Sequence, residues 1–247
     1  SGLAVENCVL TDHANGALWV VGTGGRVRLE GTRFIANTNV RGGAIFFGAV
    51  PAELTVSHCV FEGNRATFKG GAIFVTGGAA SKVTIRNSIF FGNSADVSCG
   101  AILQNENAYE TEFSLLNSIV WKNNAPKYAQ MALCGSAAVS YCDIQGGQAG
   151  VGNLDKGPCF AREGGWEDNG TPDDAGGDRW RPGDYHLKSQ AGRWDPIRSL
   201  WVEDDVSSPC IDSGDPLSDW SGEREPNGKR INMGAYGGTQ EASMSPD

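Results

Sequence analysis

The residues V-T-I-R-N-S-I-F-F-G-N from Val83 are one copy of a phrase that keeps returning along the chain. It reads V-R-L-E-G-T-R-F-I-A-N from Val27, L-T-V-S-H-C-V-F-E-G-N from Leu54 and F-S-L-L-N-S-I-V-W-K-N from Phe113, with weaker copies from Leu3 and Ala137. A second phrase follows it, G-G-A-I-F after the Val27 and Leu54 copies and C-G-A-I-L after the Val83 copy. A unit repeated at this length, built of short strand-like runs, stacks on itself to bury its apolar side. Take the bulky residue late in each phrase as a ruler: Leu10, Phe34, Phe61, Phe90, Val120 and Ile144. The intervals are 24, 27, 29, 30 and 24 residues. Helical arrays hold their period tightly; a solenoid of strands tolerates loops of varying length.

The columns define the strands. Five residues before the ruler stand Val5, Leu29, Val56, Ile85, Leu115 and Val139, and seven before it Leu3, Val27, Leu54, Val83, Phe113 and Ala137. Alternation at period two predicts strands with one buried face. Cys8, Thr32, Cys59, Ser88, Ser118 and Cys142 form a small-residue column at a bend, where the thiols read as core filler. A second short strand is predicted at Ala17-Leu18, Ala44-Ile45, Ala72-Ile73, Ala101-Ile102 and Ala132-Leu133. Three residues after the ruler stand Asn37, Asn64, Asn93 and Asn123. Asparagine accepts left-handed backbone, and stacked amides bond one another along an axis. A structural ladder of these four is expected, since buried amides without partners are costly.

These phrases resemble the right-handed parallel β-helix. N-S-x-F-x-x-N and G-G-A-I are similar to repeats of bacterial surface β-helix proteins, including polymorphic outer-membrane proteins, over roughly residues 1–147. The expected fold is all-β, with about six coils over 1–147 and an irregular Gly/Pro/Asp/Trp-rich C-terminal cap over 148–247, in one continuous domain. At about 4.8 Å per coil the rod is about 29 Å long. In the tail, G-D-Y-H-L-K from Gly183, S-P-C-I-D-S-G-D-P from Ser208 and R-I-N-M-G-A-Y-G-G-T from Arg230 resemble the ending of choice-of-anchor β-helix proteins. That resemblance implies a secreted bacterial protein, extracellular or on the cell surface, and little chemistry.

A net charge of −9 argues against nucleic acid, which needs clustered Lys and Arg. No apolar run approaches the ~20 residues of a membrane helix, so no membrane insertion is expected. The chain opens on S-G-L-A-V-E-N-C, already inside a coil. This predicts either a longer parent chain or an open edge that docks end to end on copies of itself.

Several constellations could carry chemistry. Asp168, Asp173, Asp174 and Asp178, on a Gly-rich loop, are hard oxygen donors of the kind calcium takes, without EF-hand spacing; solvated turns are the alternative. Asp212 and Asp215 read as turn formers. A disulfide between Cys159 and Cys210 would staple the tail in an oxidising compartment. Phe91 and Trp121 follow the ruler in adjacent coils and would offer a carbohydrate-binding platform, unless the tail folds over them. Parallel β-helices also host polysaccharide lyases, which need a base and a positive group. Arg41 and Lys69, each three residues before the Ala of a second strand, are the stacked basic pair that this resemblance would use as catalytic residues; two solvated cations are the plain alternative. The sequence thus points to a non-catalytic extracellular module that binds glycan or assembles with itself, with a polysaccharide lyase or hydrolase as the competing reading.

Overall fold

The computed structural model describes residues 2–168, 170 and 178–246. They form a parallel β-solenoid of about five complete windings, with no helix beyond one 3-10 turn at Glu106–Ala108 among the described residues. The first sheet stacks Gly2–Glu6, Arg26–Glu30, Glu53–Ser57, Lys82–Arg86, Glu112–Leu116 and Ala138–Ser140. The second stacks Val9–Thr11, Arg33–Ile35, Val60–Glu62, Ile89–Phe91, Ile119–Trp121 and Asp143–Ile144. A short third sheet joins Thr38–Arg41, Arg65–Lys69 and Ser94–Ala95. The fourth joins Leu18–Val20, Ile45–Phe47, Ile73–Val75, Ile102–Gln104 and Met131–Ala132. Among the described residues no helix is long and apolar enough to cross a membrane.

The aliphatic columns register as their spacing requires. Val27, Leu54, Val83 and Phe113 are direct partners, and so are Phe34, Phe61, Phe90 and Val120. These side chains fill the solenoid interior, each fully buried one contributing about 1.5–3 kcal/mol. The Phe34, Phe61 and Phe90 rings stack with centroids 4.6 and 4.7 Å apart and nearly parallel planes. Their separation is the strand spacing itself, so aromatic stacking and backbone pairing are satisfied by one translation.

The four asparagines also sit one above another. Each Oδ1 of Asn64, Asn93 and Asn123 accepts two bonds from the preceding coil, one from the main-chain N–H and one from Nδ2 of its asparagine, at 2.8–3.0 Å. Each Nδ2 gives its second hydrogen to a ruler-column carbonyl one coil back: Leu10, Phe34, Phe61 and Phe90. The left-handed conformation falls elsewhere than on these residues. It is taken by the residue before each, Ala36, Gly63, Gly92 and Lys122, and by a second column three before the ruler that includes Gly31, His58, Asn87 and Asn117.

Two details depart from the sequence reading. Met131, not Leu133, pairs with Ile102, which puts Gln130 in the alanine column. The cause is visible: Gln130 Oε1 takes a 2.8 Å bond from Asn123 Nδ2, so its amide closes the ladder. The bend-column thiols and hydroxyls form a second ladder rather than mere filler. Cys59 N–H donates to Ser88 Oγ, Ser88 N–H to Ser118 Oγ, and Ser118 N–H to Cys142 Sγ.

From Phe160 onward pairing becomes antiparallel: Phe160–Arg162 with Asp184–Leu187, Gly165–Glu167 with Arg179–Arg181, and Arg193–Asp195 with Leu200–Val202. The main buried contacts of this tail run along the outer face of the second sheet, where Val60, Ile89 and Ile119 meet Phe160, Leu187 and Met233.

Replacing Asn93 by alanine leaves two buried donors on Asn64 and the Phe61 carbonyl without partners. Urea denaturation should show a loss of about 3–5 kcal/mol.

Candidate functional site

The outward residues of the second sheet that follow the ruler are Thr11, Ile35, Glu62, Phe91 and Trp121. Glu62 is the one carboxylate in this otherwise mostly apolar row, and it is fully buried. Such a group must be paired and hydrogen-bonded. Arg33, one coil earlier, forms an ion pair with Oε1. Oε2 collects three donors from the tail: Trp180 Nε1 at 2.9 Å, Gly183 N at 2.8 Å and Tyr185 Oη at 2.9 Å. Arg33 also donates to the Gly183 carbonyl at 3.0 Å. One side chain thus fastens the C-terminal segment to the solenoid.

The clamp places two tryptophans. The Trp180 indole lies against Gly63 and Gly92, where a Cβ on either would run into the ring. Trp166, opposite Trp180 in the hairpin, meets it edge to face at 5.4 Å and stays 51 % exposed. It lines a cleft of about 710 Å3 between the hairpin and the third sheet. The other polar walls are Asp12, His13, Thr38, Arg65, Ser94 and Asp178. Three of them, Asp12, His13 and Arg65, are held by neighbours in the solenoid. Asp12 takes a 2.8 Å bond from the Thr11 hydroxyl. The His13 N–H donates to Asn37 Oδ1, the first rung of the ladder. Arg65 pairs with Asp96 at 3.1 Å. Donors, acceptors and one exposed aromatic surface therefore converge on an open cleft, the usual make-up of a site for a polar ligand.

The residues singled out in the sequence fall in three places. Phe91 and Trp121 are adjacent partners, but they form no exposed platform. Phe91 is 2 % exposed, packed 5.9 Å from Phe160 and 5.3 Å from Tyr185, and Trp121 is half-buried in the same cluster. The tail covers them because their row is apolar. Arg41 and Lys69 are direct partners in the third sheet. Arg41 lies 5.2 Å and Lys69 4.9 Å from the centre of the Phe68 ring, an arrangement in which cations bind an aromatic face. Asp168 accepts the Gly170 N–H at 2.8 Å and Asp178 lines the cleft, while Asp173 and Asp174 lie outside the described residues. Among the described residues no three His, Cys, Asp or Glu side chains come together as a metal site.

The disulfide expected between Cys159 and Cys210 is not formed; both thiols are free. Cys210 is buried and donates to Asp143 Oδ2 at 3.2 Å, whereas Cys159 is exposed and turned to the Gly157 carbonyl. Burial pushes the Cys59 and Cys142 thiols up to about 12 and Cys210 well above its ordinary value.

A further aromatic row, Trp19, Phe46 and Phe74, stands on the outer face of the fourth sheet. Its planes are within 10° of parallel and its centroids 4.1 and 5.6 Å apart. The ring faces inside the row are spent on one another, which leaves edges rather than faces for a ligand. The clamp at Glu62 and the cleft at Trp166 were both missed by sequence reasoning. The available signal was a lone glutamate in an outward apolar column.

Residues 1–116 match the family model described as "Right handed beta helix region". Residues 178–214 match the model described as "Disaggregatase related". No curated protein and no solved structure matches the chain.

Exchange of Glu62 for glutamine removes the counter-charge of Arg33. We expect a loss of about 3–5 kcal/mol in denaturant titrations, with faster limited proteolysis of residues 178–214. Brief iodoacetamide treatment of the native chain should modify Cys8 and Cys159 first, and peptide mass spectrometry should find Cys59, Cys142 and Cys210 protected.

Proposed function

We propose that this right-handed β-helix repeat protein is a non-catalytic glycan-binding module, extracellular or on a cell surface, with the cleft beside Trp166 as its binding site. The exposed indole of Trp166, fixed at the edge of a cleft walled by polar side chains, carries the reading. Sugars offer apolar C–H faces and hydroxyl edges; the indole suits the first and the wall of Asp12, His13 and Arg65 suits the second. The disaggregatase-related match covers Trp180, Gly183 and Tyr185, the three tail donors that fasten this side of the cleft.

The third sheet extends the surface. Thr38 and Arg65 line the cleft, and they open the strands that end in Arg41 and Lys69. A strand of four residues spans about 13 Å, so a bound chain following it reaches the two cations. Neither cation has a carboxylate within ion-pair distance among the described residues, in a protein of net charge −9. We assign them to holding carboxylate or sulfate groups of an acidic glycan rather than to base catalysis.

A glycan array probed with the full chain tests the proposal. Trp166→Ala should weaken every positive signal by about tenfold or more. The Arg41→Ala/Lys69→Ala pair should weaken acidic glycans alone. No binding across the array would remove the reading. Release of ultraviolet-absorbing unsaturated products from uronate polymers would replace it with the lyase.

A further inference from the structure

The tail holds a second polar centre, independent of the glycan reading. Among the described residues four buried side-chain polar atoms have no hydrogen-bond partner, and two of them are carboxylate oxygens, Glu223 Oε2 and Asp212 Oδ1. Glu223 is only 5 % exposed. Its other oxygen is fully used, accepting the main-chain N–H groups of Asn232 at 2.8 Å and Gly238 at 2.7 Å. Asn232 also ties Asp212 to the same place, because its Oδ1 accepts the Asp212 N–H at 2.8 Å. The second oxygen of Asp212 is taken by the Ser245 hydroxyl. Gly228, in the left-handed region, lies directly against the Asp212 carboxylate, with no room for a Cβ.

Asn232 thus neighbours both a buried glutamate and a half-buried aspartate, each with one buried oxygen that accepts no hydrogen bond. Like charges so placed oppose each other. Burial, with the charge of Asp212 adding to it, pushes the Glu223 carboxyl up to about 7. Among the described residues neither forms an ion pair. Arg230 acts on Asp212 from a distance, but its guanidinium is committed to the carbonyls of Gly214 at 2.6 Å and Ser213 at 3.2 Å. Main-chain N–H groups hold Glu223 in place through one oxygen and leave the other buried without a partner. That is the arrangement of a carboxylate prepared for a cation: one oxygen fixes the side chain and the other binds.

We propose that Glu223 and Asp212 hold a hard divalent cation of calcium's size in the C-terminal segment. Two carboxylates supply the charge that balances it. The Ser245 hydroxyl and main-chain carbonyls of the surrounding turns supply neutral oxygens of the kind calcium accepts in flexible geometry. The cation replaces the missing donors of both orphaned oxygens. It also ties Ile211–Asp212 to the turns at Glu223 and Ser245, and so locks the end of the chain onto the tail. This site is distinct from the Asp168–Asp178 loop.

The test is calorimetry and thermal unfolding of the full chain, with calcium added to chelator-treated protein. Binding of one calcium ion is expected, with a rise in Tm of about 5 °C or more at a hundredfold excess over Kd. Glu223→Gln and Asp212→Asn should each abolish the rise, while the Asp173→Asn/Asp174→Asn pair should keep it. If one carboxamide variant does not fold, the other decides. If neither folds, one-to-one calcium binding by the Asp173→Asn/Asp174→Asn chain decides. No calcium-dependent change in the parent chain overturns the proposal. So does a rise that survives in Glu223→Gln or disappears only in the Asp173→Asn/Asp174→Asn pair.

Discussion

One translation governs this molecule: the step from each coil to the next, equal to the spacing of paired strands. Main-chain bonds, phenylalanine stacking and the amide ladder all require that same step, and the Phe34–Phe61–Phe90 rings meet it at 4.6–4.7 Å. Three independent interactions therefore reinforce a single register. The asparagine column is the most demanding of them. An aliphatic side chain can shift by a fraction of an ångström and still be buried. An amide that donates twice and accepts twice inside the protein has one position.

The same stacking explains why the tail attaches where it does. A parallel sheet wound into a solenoid has an inside that must be apolar and an outside that need not be. On the second sheet the outside is apolar too, over Val60, Ile89, Ile119 and Phe91. Such a surface has to be covered, and residues from Phe160 onward cover it. The buried Glu62 then decides how they lie. A charge in that position is tolerable only with Arg33 and the three tail donors in place. Specific attachment thus comes from the polar group in an apolar row, while the apolar row supplies most of the buried area. The cleft at Trp166 is a consequence, since Trp180 is held by Glu62 and rests on two glycines.

Acidic groups behave differently according to what surrounds them. Glu62 has a cation and three donors, so both its oxygens are satisfied. Asp184 has His186 at 2.6 Å and Arg193 within reach, and its carboxyl is lowered despite burial, by the bonds and charges of those two partners. Glu223 and Asp212 each keep one oxygen without a donor and have no paired cation among the described residues, and both carboxyls are raised by burial. The surplus of negative charge in the whole chain says nothing about which carboxylates are satisfied; only their neighbours do.

The sequence alone determined the winding. Its aliphatic, small-residue and asparagine columns recur at offsets that only stacked parallel strands satisfy, and every interval in the ruler survives as a register pair. The reason is local: side-chain alternation and turn chemistry belong to one copy and repeat in the next. The sequence did not determine the two-residue slip at Gln130 and Met131, because so small a change of loop length is invisible until the ladder is closed. It could not decide that Phe91 and Trp121 are covered, that Cys159 and Cys210 remain apart, or that Trp166 stands beside His13 and Arg65. Those outcomes join residues far apart in the chain through packing of an aperiodic tail. No repeating pattern records such contacts, and the tertiary structure alone decides them.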